Sequence, residues 1–196
     1  MNLTLGSLFV KNLDSKILGF KLSDMETTDA RPATDVLDDL LAAWRESRPD
    51  LDPSPLGVVG RVIILARHLE QSVCAALAKH ELTLGQFDIL ATLRRHGPKG
   101  RLTPSELLGS VMLSSGGMTA RLDKLEEAAL ITRGTDADDR RKVVIELTAK
   151  GKRLIDAATV TRFDEARASL PKLPPAELEA LEGLLRKWLA SLGEPA

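Results

Sequence analysis

The chain has 196 residues, 43% hydrophobic and 28% charged, enough for one domain with a substantial core or one carrying extended arms. No apolar run approaches the ~20 residues of a membrane span, and the opening MNLTLGSLFV lacks the basic leader and continuous apolar stretch of an export signal; the single cysteine, Cys74, allows no internal disulfide, and together these point to a cytoplasmic protein. The net charge of −1 conceals an uneven distribution: residues 61–153 hold 16 Lys and Arg against 11 Asp and Glu, and the flanks 11 against 17. A basic middle suits a local anionic partner as well as it suits a solvated surface.

Residues 1–30 show weak periodicity and form an extension of uncertain role; Met25, opening the polar lead-in METTDARPATD, is a candidate physiological start. From Asp35, the residues Leu37, Leu40, Leu41 and Trp44 recur at helical spacing, which predicts a short amphipathic helix ending at the breakers RPDLDPSPLG. A longer helix follows to about His80, with the stripe Val59, Val62, Ile63, Ala66, Leu69, Val73 and Leu77. Two helix starts are then marked by Thr83 with Gln86 and by Thr103 with Glu106, pairs able to satisfy free amides reciprocally. The first of these helices should stop at Gly97-Pro98 and the second, with Pro104 in its opening turn, at about Gly109. A third helix, from Ser114 or Ser115, carries Met118, Leu122, Leu125 and Ala129 on one side. LITR and KVVIEL flank the turn-favouring GTDADDR and predict a two-stranded hairpin. Helical periodicity returns after Thr148, breaks at Pro171 and resumes after Pro174-Pro175 with Leu178, Leu181, Leu184, Leu185 and Trp188.

Helix, helix, helix, hairpin is the order of a winged helix. On the third helix Gly116, Ala120 and Glu127 lie opposite the apolar side, so the outward face begins with residues small enough for close backbone approach to a major groove. Ser114, Ser115 and Thr119 can donate there to phosphates or base edges; the bland alternative is that Gly116-Gly117 merely frays the helix start. Arg140, Arg141 and Lys142 are concentrated at the hairpin tip, where a cation gains from the potential of a narrow minor groove, and Asp139 can hold a neighbouring guanidinium. Taken alone, that pair is a surface ion pair of little energetic consequence.

Cys74 has no obvious activating base beside it and reads as a plain buried cysteine, while His68, His80 and His96 are too scattered to hold a metal. No nucleophile elbow, phosphate-binding glycine loop or paired catalytic carboxylate is present, so neither an enzyme nor a bound cofactor is expected. Asp88 interrupts the apolar FDILATL on a helix that must pack, and an ionised carboxylate there needs a partner. Arg121 and Arg133 are the candidates, and a purely structural bridge competes with any functional role.

The segment DRRKVVIELTAKG follows the Asp-x-Arg, Leu-Thr-x-x-Gly pattern of the multiple-antibiotic-resistance regulator (MarR) family through Asp139, Arg141, Leu147, Thr148 and Gly151, and LSSGGMTARLDKLEEAALITR resembles that family's recognition helix and first wing strand. The resemblance spans about residues 35 to 190. It implies a mainly α winged helix-turn-helix fold with a small β-hairpin wing: residues 31–82 and 151–196 would supply interlocking dimerisation helices, and 83–150 the DNA-binding domain. In the homodimer so implied, Arg141 enters the minor groove, Asp139 positions it, and the helix from Ser114 sits in the major groove of an inverted repeat of double-stranded DNA. Thr103, Ser114, Ser115, Thr119, Lys124, Asp139, Arg140, Arg141 and Lys142 make up the expected DNA-contacting set. Trp44, Asp88, Arg121 and Arg133 resemble the pocket of the family's urate-responsive, UrtR-like branch, which carries an added N-terminal helix bearing the tryptophan. That likeness implies a repressor released by a small anionic or aromatic effector. A thiol-responsive regulator acting through Cys74, as in some relatives, and a helical interaction module that binds no DNA are the alternatives.

Overall fold

The computed structural model describes residues 34–96, 101–110, 117–135 and 141–193. It divides into two compact units, Met1–Gly57 and Val58–Ala196. In the first, helix α1 (Val36–Ser47) starts where expected, because Asp35 accepts from the Leu37 amide at 2.9 Å while Asp38 accepts from the Asp35 amide at 2.8 Å. Leu37 and Leu41 are buried and Trp44 is 38% exposed.

Helix α2 (Ser54–Ala78) begins inside the stretch expected to break it. Pro55 falls in the first turn, where a missing N–H costs nothing, and Asp52 accepts from the Ser54 amide at 3.0 Å and from its hydroxyl at 2.8 Å. Its apolar stripe divides along its length. Val73 and Leu77 are buried, whereas Val59, Ile63 and Leu69 are exposed, and so is Cys74, against the expectation of a buried thiol. The toward-core face of α2 therefore covers only its last turns.

The second unit continues through α3 (Leu84–Arg95), β1 (Arg101–Leu102), α4 (Pro104–Ser110), α5 (Met118–Glu127), β2 (Ile131–Thr135), β3 (Val143–Leu147), α6 (Ala149–Ser169) and α7 (Pro175–Ser191). The capping pairs at Thr83 and Thr103 form as the sequence predicts, with Gln86 Oε1 3.0 Å from the Thr83 amide and Glu106 Oε2 2.8 Å from the Thr103 amide. The hairpin gains a third, two-residue strand, giving an antiparallel sheet in the order β1-β3-β2 with Arg101 opposite Glu146 and Arg133 opposite Ile145. Two residues are too few to show alternation, which is why β1 is not legible in sequence. Helix α3 lies at the centre, packed on α4, α5, α6 and β3, and Ile89, Leu90 and Leu93 are fully buried there with Leu77, Leu107, Leu125, Ile131, Ile145 and Ile155.

Helix α5 ends earlier than its apolar pattern suggests. Ala129 is not on its buried side but exposed in a left-handed conformation, φ 55°, with its amide bonded to the Glu126 carbonyl at 2.8 Å and the Leu130 amide bonded to the Leu125 carbonyl at 2.9 Å. This is a Schellman C-cap with alanine where glycine is usual, and Glu81 (φ 57°) closes α2 the same way through the Leu82 amide and Leu77 carbonyl. Helix α7 buries none of its residues within the chain.

Candidate nucleic-acid interface

Helix α5 is positioned from three sides. Met118, Leu122 and Leu125 anchor it to the core, leaving Thr119, Ala120, Lys124 and Glu127 exposed on the other face. Its N-cap is Gly117 at φ 81°, a left-handed conformation that glycine adopts without a steric penalty. Its far end is fastened by the start of α6. Three consecutive carbonyls accept bonds from that turn: Ala128 from Lys150 Nζ at 2.8 Å, Ala129 from the Thr148 hydroxyl at 2.7 Å, and Leu130 from the Thr148 amide at 3.0 Å. Thr148 also caps α6, accepting from the Gly151 amide at 2.9 Å. The Leu-Thr-x-x-Gly motif is thus a joint between α5 and α6, and its glycine permits the close approach, since a β-carbon at Gly151 would lie 2.0 Å from the Leu130 oxygen.

On its third side α5 is tied to the wing. Arg133 of β2 donates from Nη2 to Asp123 Oδ1 at 2.5 Å and lies 3.5 Å from Glu126 Oε2 through Nη1, while its main-chain N–H donates to Glu126 Oε1 at 3.2 Å. Arg133 is therefore held by α5 and not by Asp88, one of the two arrangements the sequence left open. Asp88 on α3 and Arg121 on α5 are both half-buried, and the Arg121 guanidinium reaches back over Gly117.

Of the expected DNA contacts, Arg141 and Lys142 are exposed just before β3, and Thr119 and Lys124 are exposed on α5. Ser114, Ser115, Asp139 and Arg140 lie outside the described residues. The Thr103 hydroxyl is occupied in capping α4, donating to Glu106 Oε2 at 2.8 Å. The bonds from Thr103 hold the Glu106 carboxyl below its ordinary value, with the positive charges of Lys142 and His96 adding to the effect. Trp44 stands on α1, in the first unit. No spacing rule joins a helix to a strand ahead of it, so Asp123, Glu126 and Lys150 drew no notice in the sequence.

A family model described as the MarR family matches residues 82–143. The chain is 34% identical over 156 residues to the HTH-type transcriptional regulator PecS of Dickeya dadantii, covering 78% of this chain and 94% of that protein. The chain belongs to the MarR family. It is also 31% identical over 149 residues to the HTH-type transcriptional repressor NicR of Pseudomonas putida, 74% of this chain and 92% of NicR. Among solved structures, a mutant MarR from E. coli complexed with operator DNA matches at TM-score 0.59 and 22% identity over 80% of this chain and 99% of that one. Bordetella bronchiseptica BpsR, described as regulated in its DNA binding by 6-hydroxynicotinic acid, matches at 0.58 and 24% over 66% and 91%. These two structural likenesses concern the fold, a winged helix. As a MarR-family member the chain is a DNA-binding transcriptional regulator and not an enzyme. Among the described residues no helix is long and apolar enough to cross a membrane, and none groups into a metal site.

Proposed function

We propose that the protein is a cytoplasmic homodimeric repressor, held on an inverted-repeat operator by two winged helices and released by a small anionic or aromatic effector of the urate or xanthine kind. The observation that carries this reading is Arg133: a cation 33% exposed to solvent, yet bonded to the helix whose outer face would read DNA. An anion reaching that guanidinium changes what holds α5 in place, and a ligand shifts an equilibrium only through such a difference between states. The repressor named NicR and the regulator responding to 6-hydroxynicotinic acid, an aromatic carboxylate, lend support from the same family. Asp88 and Arg121 belong to the reading as the polar groups on α3 and α5 that the effector disturbs; Trp44 belongs to it by residue type, as a flat ring able to stack on or hydrogen-bond to the ligand. The dimer is supported by α7, whose Leu181, Leu184, Leu185 and Leu189 are all exposed.

In this reading Thr119 and the segment from Ser114 face the major groove, Arg141 with Asp139 enters the minor groove, and Lys124, Arg140 and Lys142 contact phosphates, which Thr103 could join only by turning its hydroxyl away from Glu106. Operator fragments selected from genomic DNA, titrated by gel shift and calorimetry with urate, xanthine and aromatic carboxylates, test it. Arg133→Ala is expected to abolish release while changing operator affinity less than about fivefold, because a half-exposed ion pair contributes about 0–1 kcal/mol. Release by none of these ligands, or an unaltered response in Arg133→Ala, refutes the effector reading. The exposure of Cys74 favours a second reading in which peroxide is the signal; operator release by peroxide that Cys74→Ser abolishes would select it.

A further inference from the structure

Asp123 and Glu126 are one helical turn apart on α5, and both reach toward β2. Two carboxylates at this spacing repel each other and weaken the helix that carries them. The Arg133 guanidinium between them converts that repulsion into an attachment between the helix that reads DNA and the first strand of the wing. Asp123 takes Nη2 and Glu126 lies beside Nη1, while the Glu126 carboxylate also accepts from the Arg133 main chain. The Nη1–Nη2 edge that the guanidinium can offer to a carboxylate is therefore already engaged by this protein's own acids. All three side chains remain partly exposed, at 33%, 48% and 41% for Arg133, Asp123 and Glu126, so a small solute has access to the pair.

We propose that Asp123 and Glu126 are the positioning residues of the effector response: a small anion exchanges with them on Arg133, and the released carboxylates, now facing each other and the anion, drive α5 away from β2. This rests on the reading of Arg133 as the effector's anchor. Two consequences follow from the charges. The carboxylates compete with the anion, so the free protein binds it more weakly than the guanidinium alone would. That same competition is what reaches the DNA, because the factor by which the anion weakens operator binding equals the factor by which the operator weakens anion binding. Removing Arg133 alone leaves only a weak mutual repulsion, so operator affinity survives its loss; seating an anion there adds a third negative charge.

The experiment uses the full chain, with urate as probe, and compares wild type with Asp123→Asn, Glu126→Gln, the double variant and Arg133→Ala. Calorimetry gives the urate Kd, and gel shift gives the operator Kd with and without saturating urate. The quotient is taken within each variant, so that any general gain in DNA affinity from removing acids cancels. Wild type is expected to lose operator affinity on the order of tenfold with urate. The double variant is expected to bind urate at least about threefold more tightly yet to lose less than about twofold in operator affinity, since anion binding no longer opposes a charged helix. Each single variant moves in the same direction and serves if the double variant melts below the assay temperature. If Arg133→Ala abolishes urate binding but the neutralised variants release DNA by the wild-type factor, or bind urate no more tightly, the inference is overturned and the anchor reading stands. If wild type does not bind urate, or Arg133→Ala responds like wild type, both fall.

Discussion

A β-carbon on Gly151 would sit 2.0 Å from the carbonyl oxygen of Leu130, a backbone atom that cannot step aside without moving the joint between α5 and α6. Gly151→Ala is accordingly expected to destabilise the chain by about 1–3 kcal/mol in urea denaturation, and wild-type stability would show that the approach is looser than described. Ala129 makes the opposite case. It occupies a left-handed position that costs an L-residue about 1–2 kcal/mol, so Ala129→Gly should stabilise by roughly 1 kcal/mol, partly offset by greater freedom in the unfolded chain. A thermal melt checks it. Glu165 sits between α6 and α2, its side chain only 8% exposed. Burial alone would raise its carboxyl, but bonds from Ser169 and Ser72 and the charge of Arg162 outweigh this and hold it below the ordinary glutamate value. A carboxyl lowered by folding adds stability above its unfolded value, and that contribution is lost as pH falls through the lowered value; the acid limb of a stability–pH profile should therefore be shallower in Glu165→Gln. The sequence showed Thr148 and Gly151 as a family pattern but not as a joint. The carbonyls they serve belong to residues about twenty positions earlier, and only the fold brings those together.

At the level of elements, the wing and α5 would present different chemistry to a duplex in the proposed reading. Arg141→Ala should weaken binding to related operators alike and flatten its salt dependence, because a cation lodged in a groove contributes mainly through charge and released counterions. Equal affinity for wild type and variant at two salt concentrations would remove Arg141 from the interface. Thr119 variants should instead change the order of preference among operator bases, as expected of a side chain facing the major groove. Elements with a chemical start signal were legible: the bonded pairs at Thr83 and Thr103 sit at the first turns of α3 and α4, while α1 was legible from its apolar spacing and its Asp35 cap was not. Elements decided by neighbours were not. β1 exists only because β3 lies beside it, and α5 stops at Glu127 because the turn after it is committed to α6; α2 is a different case, its local start signals Asp52 and Pro55 lying in a stretch that otherwise looks like breakers.

For the molecule as a whole, the apolar periodicity of the terminal helices was plain in the sequence, but periodicity says only that a face is apolar, not what covers it. Five of the seven α2 stripe residues and all of α7 lie outside the chain's own core. Deleting residues 174–196 is expected to abolish both self-association in sedimentation and operator binding, since paired half-sites need paired recognition helices. A truncated chain that sediments as a dimer would assign the interface elsewhere. The fastening of α5 to α6 through Lys150 and Thr148 sets a further condition on that pairing. The C-terminal end of α5 is bonded to α6 at three consecutive carbonyls, so in the proposed dimer a rotation of α6 would turn the helix proposed to read DNA as a wrench turns a bolt. In that dimer the long helix would serve as a gauge: each base pair inserted between half-sites moves one of them by about 3.4 Å along the duplex, a change the protein would follow by turning α6.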